Sequence, residues 1–205
     1  MHGGTMGAAA EDQLVELQRR LLGGYQLLQT LVGIRLRAVT DPESARHLNW
    51  LSDVIAAMDL ISRRINADGP LDFGGYLEDV ADFWSRVCEG RPVRLKVRGQ
   101  AALLPDTHLL PLAIITHELI SNACRHAFPD DRRGSIAVAF SRAVGGVSLV
   151  VRDSGVGAAK LVPGEGLSLV QGLVEHLGGS MSIETAPGGG VGVRIRLPLD
   201  TSPVH

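Results

Sequence analysis

A chain of 205 residues, 45% of them hydrophobic, is long enough to bury a core in one or two domains. The formal charge is −2 and no block rich in lysine and arginine is present, which argues against a nucleic-acid partner bound through a basic surface. Residues 1–14 lack the basic and apolar regions of a signal peptide, and no apolar run reaches the length of a membrane span, so we expect a cytoplasmic protein.

The amino-terminal part is predicted to contain a disordered segment, residues 1–10, and a helical dimerisation domain, residues 11–68. Apolar residues recur every three or four positions over 11–66, which predicts two long amphipathic helices. Thr40-Asp41-Pro42-Glu43 supplies a cap and a proline for the start of the second helix. The helices would form an antiparallel hairpin, and two hairpins would pair as a four-helix bundle, giving a homodimer through residues 11–66. The alternative is that the hairpin packs on its own chain.

Residues 69–200 are predicted to form a second domain, because Ala67-Asp68-Gly69-Pro70 interrupts the helical pattern. Gly145-Gly146 is typical of a hairpin turn between strands. The predicted fold class is α+β, in which the helical hairpin precedes an α/β sandwich with a mixed, largely antiparallel sheet covered by helices on one face. The predicted helices are 71–87, 107–127 and 167–177, and the predicted strands are 93–98, 135–142, 147–152, 180–185 and 191–198.

The two cysteines, Cys88 and Cys124, lie within apolar helical patterns. Cysteines in such positions are usually buried free thiols. This interpretation is favoured over a disulfide or a reactive thiol.

The letters HELIS at 117–121 resemble half of a zinc-binding helix, in which two histidines four residues apart share one metal. Ser121 stands where the second histidine is needed, and His126 lies nine residues after the first, roughly on the opposite side of a helix. The same helix places the carboxylate of Glu118 and the amide of Asn122 on one face. This pair, and not a zinc site, is the candidate for chemistry.

Two glycine-rich loops follow this helix. The first, residues 153–157, places Asp153 at the end of a strand beside backbone without side chains, which suits recognition of an adenine amino group. The second, residues 164–170, opens a helix whose first N–H groups and positive dipole end favour phosphate. Each loop alone also fits a plain turn. Their order after a helix that carries Glu118 and Asn122 is much more specific.

These motifs resemble the ATP-binding domain of the GHKL superfamily, the Bergerat fold of histidine kinases, gyrase-type ATPases, heat-shock chaperones and MutL. Residues 118–128 resemble its N box, residues 153–157 its G1 box and residues 164–170 its G2 box. The resemblance therefore covers residues 71–199.

The histidine-kinase branch is indicated by Leu177-Gly178-Gly179 and by the glycines at 188–190. Residues 125–129, Arg-His-Ala-Phe-Pro, are most similar to the HisKA_2 and HWE group of bacterial sensor kinases. Asp41-Pro42-Glu43 at the start of a second dimerisation helix is also typical of that group, which extends the resemblance to nearly the whole chain.

The resemblance implies ATP and Mg²⁺ as ligands. Asn122 would hold Mg²⁺ through its amide oxygen, and Glu118 would orient a metal-bound water or help to activate the attacking group. Asp153 would accept a hydrogen bond from the adenine amino group. Gly155 and Gly157 would let the base and ribose approach, Gly164, Gly166 and Leu167 would line the phosphates, and Arg125 would either contact a phosphate or remain a solvated surface arginine. His117 is interpreted as a packing or locally hydrogen-bonded residue.

The expected phosphoacceptor histidine is absent. In the kinases that the chain resembles, the first dimerisation helix carries a His-Arg-Val-Lys-Asn-Asn-Leu-Gln type of motif, and alignment on Gln26 places Arg19 at the acceptor position. An arginine cannot replace this nucleophile, because its guanidinium stays protonated. His47, on the second helix, would lie about 20 Å along the bundle from Arg19 and is interpreted as a surface residue.

The resulting prediction is a histidine-kinase-like protein of two-component signalling that binds ATP and Mg²⁺ but is degenerate for autophosphorylation. Its expected partner is a response-regulator receiver domain or another histidine kinase. Three alternatives stay open, namely an active kinase that uses a non-standard or partner acceptor, a phosphotransferase-like scaffold without nucleotide turnover, and a serine kinase that regulates an anti-sigma partner switch. Serine kinases of that kind use the same fold but normally lack the long helical hairpin. The short loop at 158–163 between the glycine loops predicts either weaker closure over the nucleotide or a more open pocket.

Overall fold

The computed structural model of the chain describes residues 23–68, 72–160 and 164–199. The chain divides into two compact units, Met1–Gly69 and Pro70–His205. No helix within the described ranges is long and apolar enough to cross a membrane. The predicted disordered segment 1–10 and the acceptor position Arg19 lie outside the described residues.

In the described part of the first unit, residues 23–38 belong to helix α1 and Pro42–Asp68 form helix α2. Asp41 caps the second helix, because its Oδ2 accepts a hydrogen bond from the backbone N–H of Ser44 at 2.7 Å. Pro42 then occupies the first helical position, where a missing N–H has no cost. The helix break predicted at Thr40-Asp41-Pro42 is therefore confirmed, whereas the antiparallel hairpin and the bundle stay predictions.

The second unit is built on one five-stranded sheet with the strand order β1-β2-β3-β5-β4. Strands β1 and β2 are parallel, and the other neighbouring pairs are antiparallel, which confirms the mixed, largely antiparallel sheet. Gly145, with φ of 72°, forms the predicted hairpin turn between β2 and β3. The strands are β1 Val93–Gly99, β2 Gly134–Ala143, β3 Gly146–Asp153, β4 Ser180–Thr185 and β5 Val191–Pro198.

Three helices pack on one face of this sheet, α3 over Phe73–Val87, α4 over Asp106–His126 and α5 over Glu165–His176. The core forms between them because alternate residues of the central strands point inward and are apolar. The inward residues of β2, β3 and β5 are all nearly inaccessible to solvent: Ile136, Val138, Phe140, Val147, Leu149, Val151, Val193, Ile195 and Leu197.

Two predicted helix starts are shifted by two residues. Helix α3 begins at Phe73 and not at 71, because Asp72 is its cap and accepts hydrogen bonds from Gly74 N and Gly75 N. Helix α5 begins at Glu165 and not at 167, so the second glycine loop contributes Gly166 to the first turn of the helix itself.

His117 is buried in the core between α3 and α4. Its side chain is 1% exposed, its Nδ1 accepts a hydrogen bond from Trp84 Nε1 at 3.3 Å, and the ring of Phe83 lies 5.6 Å away between centroids. Burial lowers the pKa of His117 from 6.5 to about 3. The imidazole is therefore neutral, and the interpretation of His117 as a packing and hydrogen-bonding residue is confirmed.

We predict that this histidine makes the folded state less stable in acid. Between pH 6.5 and about 3 the unfolded chain binds a proton that folded His117 excludes, so the free energy of unfolding falls as the pH falls. One such proton corresponds to about 1.4 kcal/mol per pH unit. Urea denaturation at pH 7, 6 and 5 should therefore give a steeper pH dependence for the wild type than for His117→Leu.

The control is His126→Leu, which removes an exposed histidine from the same helix. It should retain the wild-type slope. Equal slopes for the wild type and His117→Leu would contradict the prediction, because folded His117 would then bind its proton over the same pH range as in the unfolded chain.

Candidate functional site

Glu118 and Asn122 form a hydrogen-bonded pair on α4. Asn122 Nδ2 donates to Glu118 Oε1 at 2.9 Å, as their spacing on one helical face predicts. Glu118 is buried, with 4% exposure, whereas Asn122 is half-buried. Because the amide nitrogen is directed to Glu118, the amide oxygen of Asn122 is left for a ligand such as a cation.

The first turn of α5 lies directly against Glu118. A methyl group at Gly166 would overlap the Glu118 carboxylate, so only glycine fits this position without displacing the acid. The helix that carries Glu118 and Asn122 and the second glycine loop are therefore in contact. Leu167 is buried beside this contact, and Gly164, which precedes the helix, is exposed.

The start of α5 has N–H groups available for an anion. Gly164 occupies the cap position, and no side chain of the described residues caps the helix. The first four N–H groups of a helix have no acceptor within the helix, and they coincide with the positive end of its dipole. This arrangement fits a phosphate group.

Asp153 is held rigidly at the end of β3. Its Oδ1 accepts two backbone hydrogen bonds, from Gly155 N at 2.8 Å and from Val191 N at 3.2 Å, and the residue is 6% exposed. Oδ2 accepts no hydrogen bond from any residue that the structure describes. The carboxylate thus has one oxygen fixed by the fold and one oxygen left for a hydrogen-bond donor such as an amino group.

The first glycine loop is clamped between α4 and the loop that joins β4 to β5. Val156 N donates to the carbonyl of Ala127 at the end of α4, at 3.0 Å, and Gly155 lies so close to Ala127 that a methyl group would overlap its carbonyl. Gly157 has φ of 58° and lies against the carbonyl of Ala186. Both glycines are therefore required by the backbone around them.

Sequence reasoning missed two residues of this region. Gly190, with φ of 72°, packs against the backbone of Asp153, and Thr185 Oγ1 donates to the Gly190 carbonyl at 3.2 Å. The same hydroxyl accepts a hydrogen bond from Ala158 N at 3.0 Å. The glycine run at 188–190 was a signal for Gly190, whereas Thr185 has no local signal.

The remaining predicted residues lie around this site. Arg125 is exposed on α4, one turn beyond Asn122. Of the short loop between the glycine loops, residues 158–160 are described, whereas 161–163 are not.

Cys88 and Cys124 are both free and buried, which confirms the interpretation from sequence. Their sulfur atoms are 3.2 Å apart and share a hydrogen bond between the end of α3 and α4. This hydrogen bond and the nearby Arg91 guanidinium outweigh burial and lower the pKa of Cys88 below that of an ordinary thiol.

The part of the chain that carries this geometry is similar to a known domain family. Residues 108–201 match the family described as Histidine kinase-, DNA gyrase B-, and HSP90-like ATPase. The match includes Glu118, Asn122, Asp153 and both glycine loops. Residues 108–201 are therefore similar to a histidine kinase-like ATPase domain, as the resemblance to the GHKL superfamily predicted.

Relatives named sensor histidine kinases extend this likeness to most of the chain. Sensor histidine kinase PdtaS of Mycobacterium tuberculosis is 26% identical over 200 residues, which cover 90% of this chain and 39% of that protein. Blue-light-activated histidine kinase 2 of Erythrobacter litoralis is 24% identical, covering 92% of this chain and 58% of that protein. The chain therefore spans about two fifths of the length of the PdtaS relatives.

Solved structures agree on the fold. The histidine kinase domain of the Erythrobacter litoralis EL346 blue-light-activated histidine kinase superimposes with a TM-score of 0.67 at 20% identity, covering 85% of this chain and 96% of that one. A second structure of the EL346 kinase gives a TM-score of 0.70 at 22% identity, covering 93% and 60%. The predicted resemblance to sensor histidine kinases is confirmed. The finer assignment to the HisKA_2 and HWE group stays a prediction.

We predict that Gly166→Ala destabilises the domain, whereas Gly172→Ala, in the same helix, stabilises it. Alanine at 166 must displace the buried Glu118 carboxylate, at a cost of about 1 to 2 kcal/mol. Gly172 is exposed with open space around it, so alanine there should add about 0.5 to 1 kcal/mol through helix propensity. Urea denaturation of both variants measures the difference. An equal gain for both would mean that α5 does not contact Glu118.

Proposed function

We propose that the protein is a histidine-kinase-like component of two-component signalling that binds ATP with Mg²⁺ and does not phosphorylate itself at the usual position. The observation that supports this proposal is that three groups lie on elements in direct contact with one another: the amide oxygen of Asn122, the uncapped start of α5, and the Asp153 oxygen that accepts no hydrogen bond from the described residues. These three groups have the chemistry that a cation, a phosphate chain and an adenine amino group require. The residues therefore fit the nucleotide.

Asp153 would recognise adenine through Oδ2, because Oδ1 is committed to Gly155 N and Val191 N. Gly155 and Gly157 would let the base and the ribose lie against the main chain. The N–H groups at Gly164, Gly166 and Leu167 would bind the phosphates at the start of α5. Arg125, exposed on α4, would add a positive charge near them.

Asn122 would hold Mg²⁺ through its amide oxygen. When bound, the ion would neutralise negative charge on the phosphate oxygens. Glu118 would fix the orientation of the Asn122 amide through their 2.9 Å hydrogen bond. The family role of Glu118, orienting a metal-bound water or activating the attacking group, would use the same carboxylate.

The proposed degeneracy rests on the absence of an acceptor histidine. Arg19 occupies the aligned position, and its guanidinium cannot act as the nucleophile. His47 is exposed on α2, which agrees with its interpretation as a surface residue.

We also propose that residues 11–68 form the dimerisation domain and residues 69–200 the ATP-binding domain. An exposed apolar stripe on α1 supports the homodimer, since four large side chains there are each about half exposed: Leu27 60%, Leu28 47%, Leu31 52% and Ile34 52%. Such a stripe is stabilised when a second copy covers it in a bundle. The paired helices would then bind a response-regulator receiver domain or a partner histidine kinase.

We predict that Asp153→Asn weakens ATP binding by about 10-fold to 100-fold, because the new amide N–H would face the adenine amino group, donor against donor. The fold should survive, since the amide oxygen can still accept from Gly155 N and Val191 N. Asp82→Asn, which changes an exposed acid on α3, is the control. Calorimetry with ATP in Mg²⁺ and in EDTA gives the readout.

Asn122→Ala extends this experiment to the metal. Its affinity for ATP in Mg²⁺ should fall to the wild-type value in EDTA, since the side chain that holds the ion is lost. Wild-type affinity in Asp153→Asn, or a lack of ATP binding by the wild type, would contradict the proposed site.

We predict that the purified protein incubated with labelled ATP and Mg²⁺ acquires no acid-labile phosphate. Arg19→His, which supplies a nucleophile at the aligned position, is the positive arm and should become labelled. Robust phosphohistidine in the wild type would refute the degeneracy, and its loss in His47→Gln would identify the acceptor.

A further inference from the structure

The face of the sheet that points away from the helices is exposed and carries a concentration of positive charge. Six basic side chains on it are exposed, and together they define the basic sheet face: Arg94, Lys96 and Arg98 on β1, Arg152 on β3, and Arg194 and Arg196 on β5. Within the described ranges no helix covers this face, because its residues alternate with the buried core residues.

The strand register arranges these charges in two columns. The first column is on β1, and the second is formed by β3 and β5 together: Arg94, Lys96 and Arg98 in the first, and Arg152, Arg194 and Arg196 in the second. Lys96 pairs with Ala137 and Ala137 with Arg152, so Lys96 and Arg152 flank the same small residue. Arg194 and Arg196 lie one strand further, on β5. Neighbouring strands are about 4.8 Å apart, so the two columns are about 10 to 14 Å apart.

The charge on this face is unbalanced. Glu184 is the one acid among its outward strand residues, and it lies 3.5 Å from Arg152 in an exposed ion pair. The other five basic residues make no salt bridge with the residues that the structure describes. Like charges on neighbouring strands repel, and an anionic partner would relieve that repulsion.

A shallow trough with a small-residue floor separates the columns. Ala137, Ala139 and Ser141 project from β2, and Val150 projects beside them from β3. An α-helix with its side chains is about 10 to 12 Å wide, which matches the distance between the columns. A helix along β2 could therefore contact the apolar floor and reach both columns with acidic side chains.

We propose that the basic sheet face docks an acidic α-helix of a partner protein, laid along β2 between the two basic columns. A protein helix fits better than nucleic acid, because the floor is partly apolar and offers no aromatic side chain on which bases could stack.

The test uses a stapled α-helical peptide of about 20 residues built from glutamate and alanine, with acids along both flanks. A lysine–alanine peptide of the same length, unstructured polyglutamate and a DNA duplex of matched charge are the comparison probes. Fluorescence anisotropy with the full chain measures each affinity at low and at physiological salt. Amide chemical shifts locate the bound peptide.

Lys96→Glu/Arg194→Glu reverses one charge in each column. Arg132→Glu/Arg133→Glu, in the exposed segment before β2, makes the same change in net charge away from the face. We expect the first variant to weaken binding of the acidic helix at least about tenfold and the second by less than about twofold. Lys96→Gln/Arg194→Gln, with circular dichroism to verify folding, repeats the test without introducing new negative charges.

Strongest binding of the acidic helix, with shift changes centred on β2, supports the proposal. Equal weakening in the face variant and its control would overturn it, since net charge alone would then explain the binding. Tighter binding of the duplex or of unstructured polyglutamate would also overturn it, because neither needs a helical trough.

Discussion

The contact between Gly166 and the Glu118 carboxylate is the constraint on which the site depends. It brings the first turn of α5 against α4, and it can form only because position 166 lacks a side chain. The same carboxylate accepts a hydrogen bond from Asn122, so a single buried acid fixes both the turn proposed to bind phosphate and the amide proposed to hold Mg²⁺. The Glu118 carboxylate can be buried because Asn122, one turn further along α4, donates a hydrogen bond to it.

Helix α4 connects the Glu118–Gly166 contact to two other parts of the domain, helix α3 and the first glycine loop. Its His117 face is locked to α3 by Trp84, and its carboxyl end is locked to the first glycine loop by the hydrogen bond from Val156 N to Ala127 O. Asp153 connects that loop to the start of β5, because its Oδ1 accepts hydrogen bonds from both Gly155 N and Val191 N. The site is thus held by hydrogen bonds in which both side chains and backbone N–H groups take part, and these bonds leave the functional side chains few alternative positions.

Much of this fold could be predicted from local patterns. Alternating apolar residues located all five strands, and Asp41-Pro42 located the start of α2. What could not be predicted depends on contacts between distant segments. The position of β5 between β3 and β4, the hydrogen bond from Val191 N to Asp153 and the role of Thr185 each require the completed sheet. The start of α5 was placed two residues late because Gly166, a poor helix former, is kept in the helix by its contact with Glu118.

The basic sheet face also could not be predicted from local patterns, because it depends on the pairing of distant strands. No lysine- and arginine-rich block exists in the sequence, yet strand alternation and register gather six cations from three strands. Successive side chains of a strand point to opposite faces, so Asp153 points to the side of the proposed nucleotide site while Arg152 points to the basic sheet face. A partner on that face would therefore touch the strand that holds Asp153 without covering the glycine loops, and nucleotide and partner could occupy the domain together.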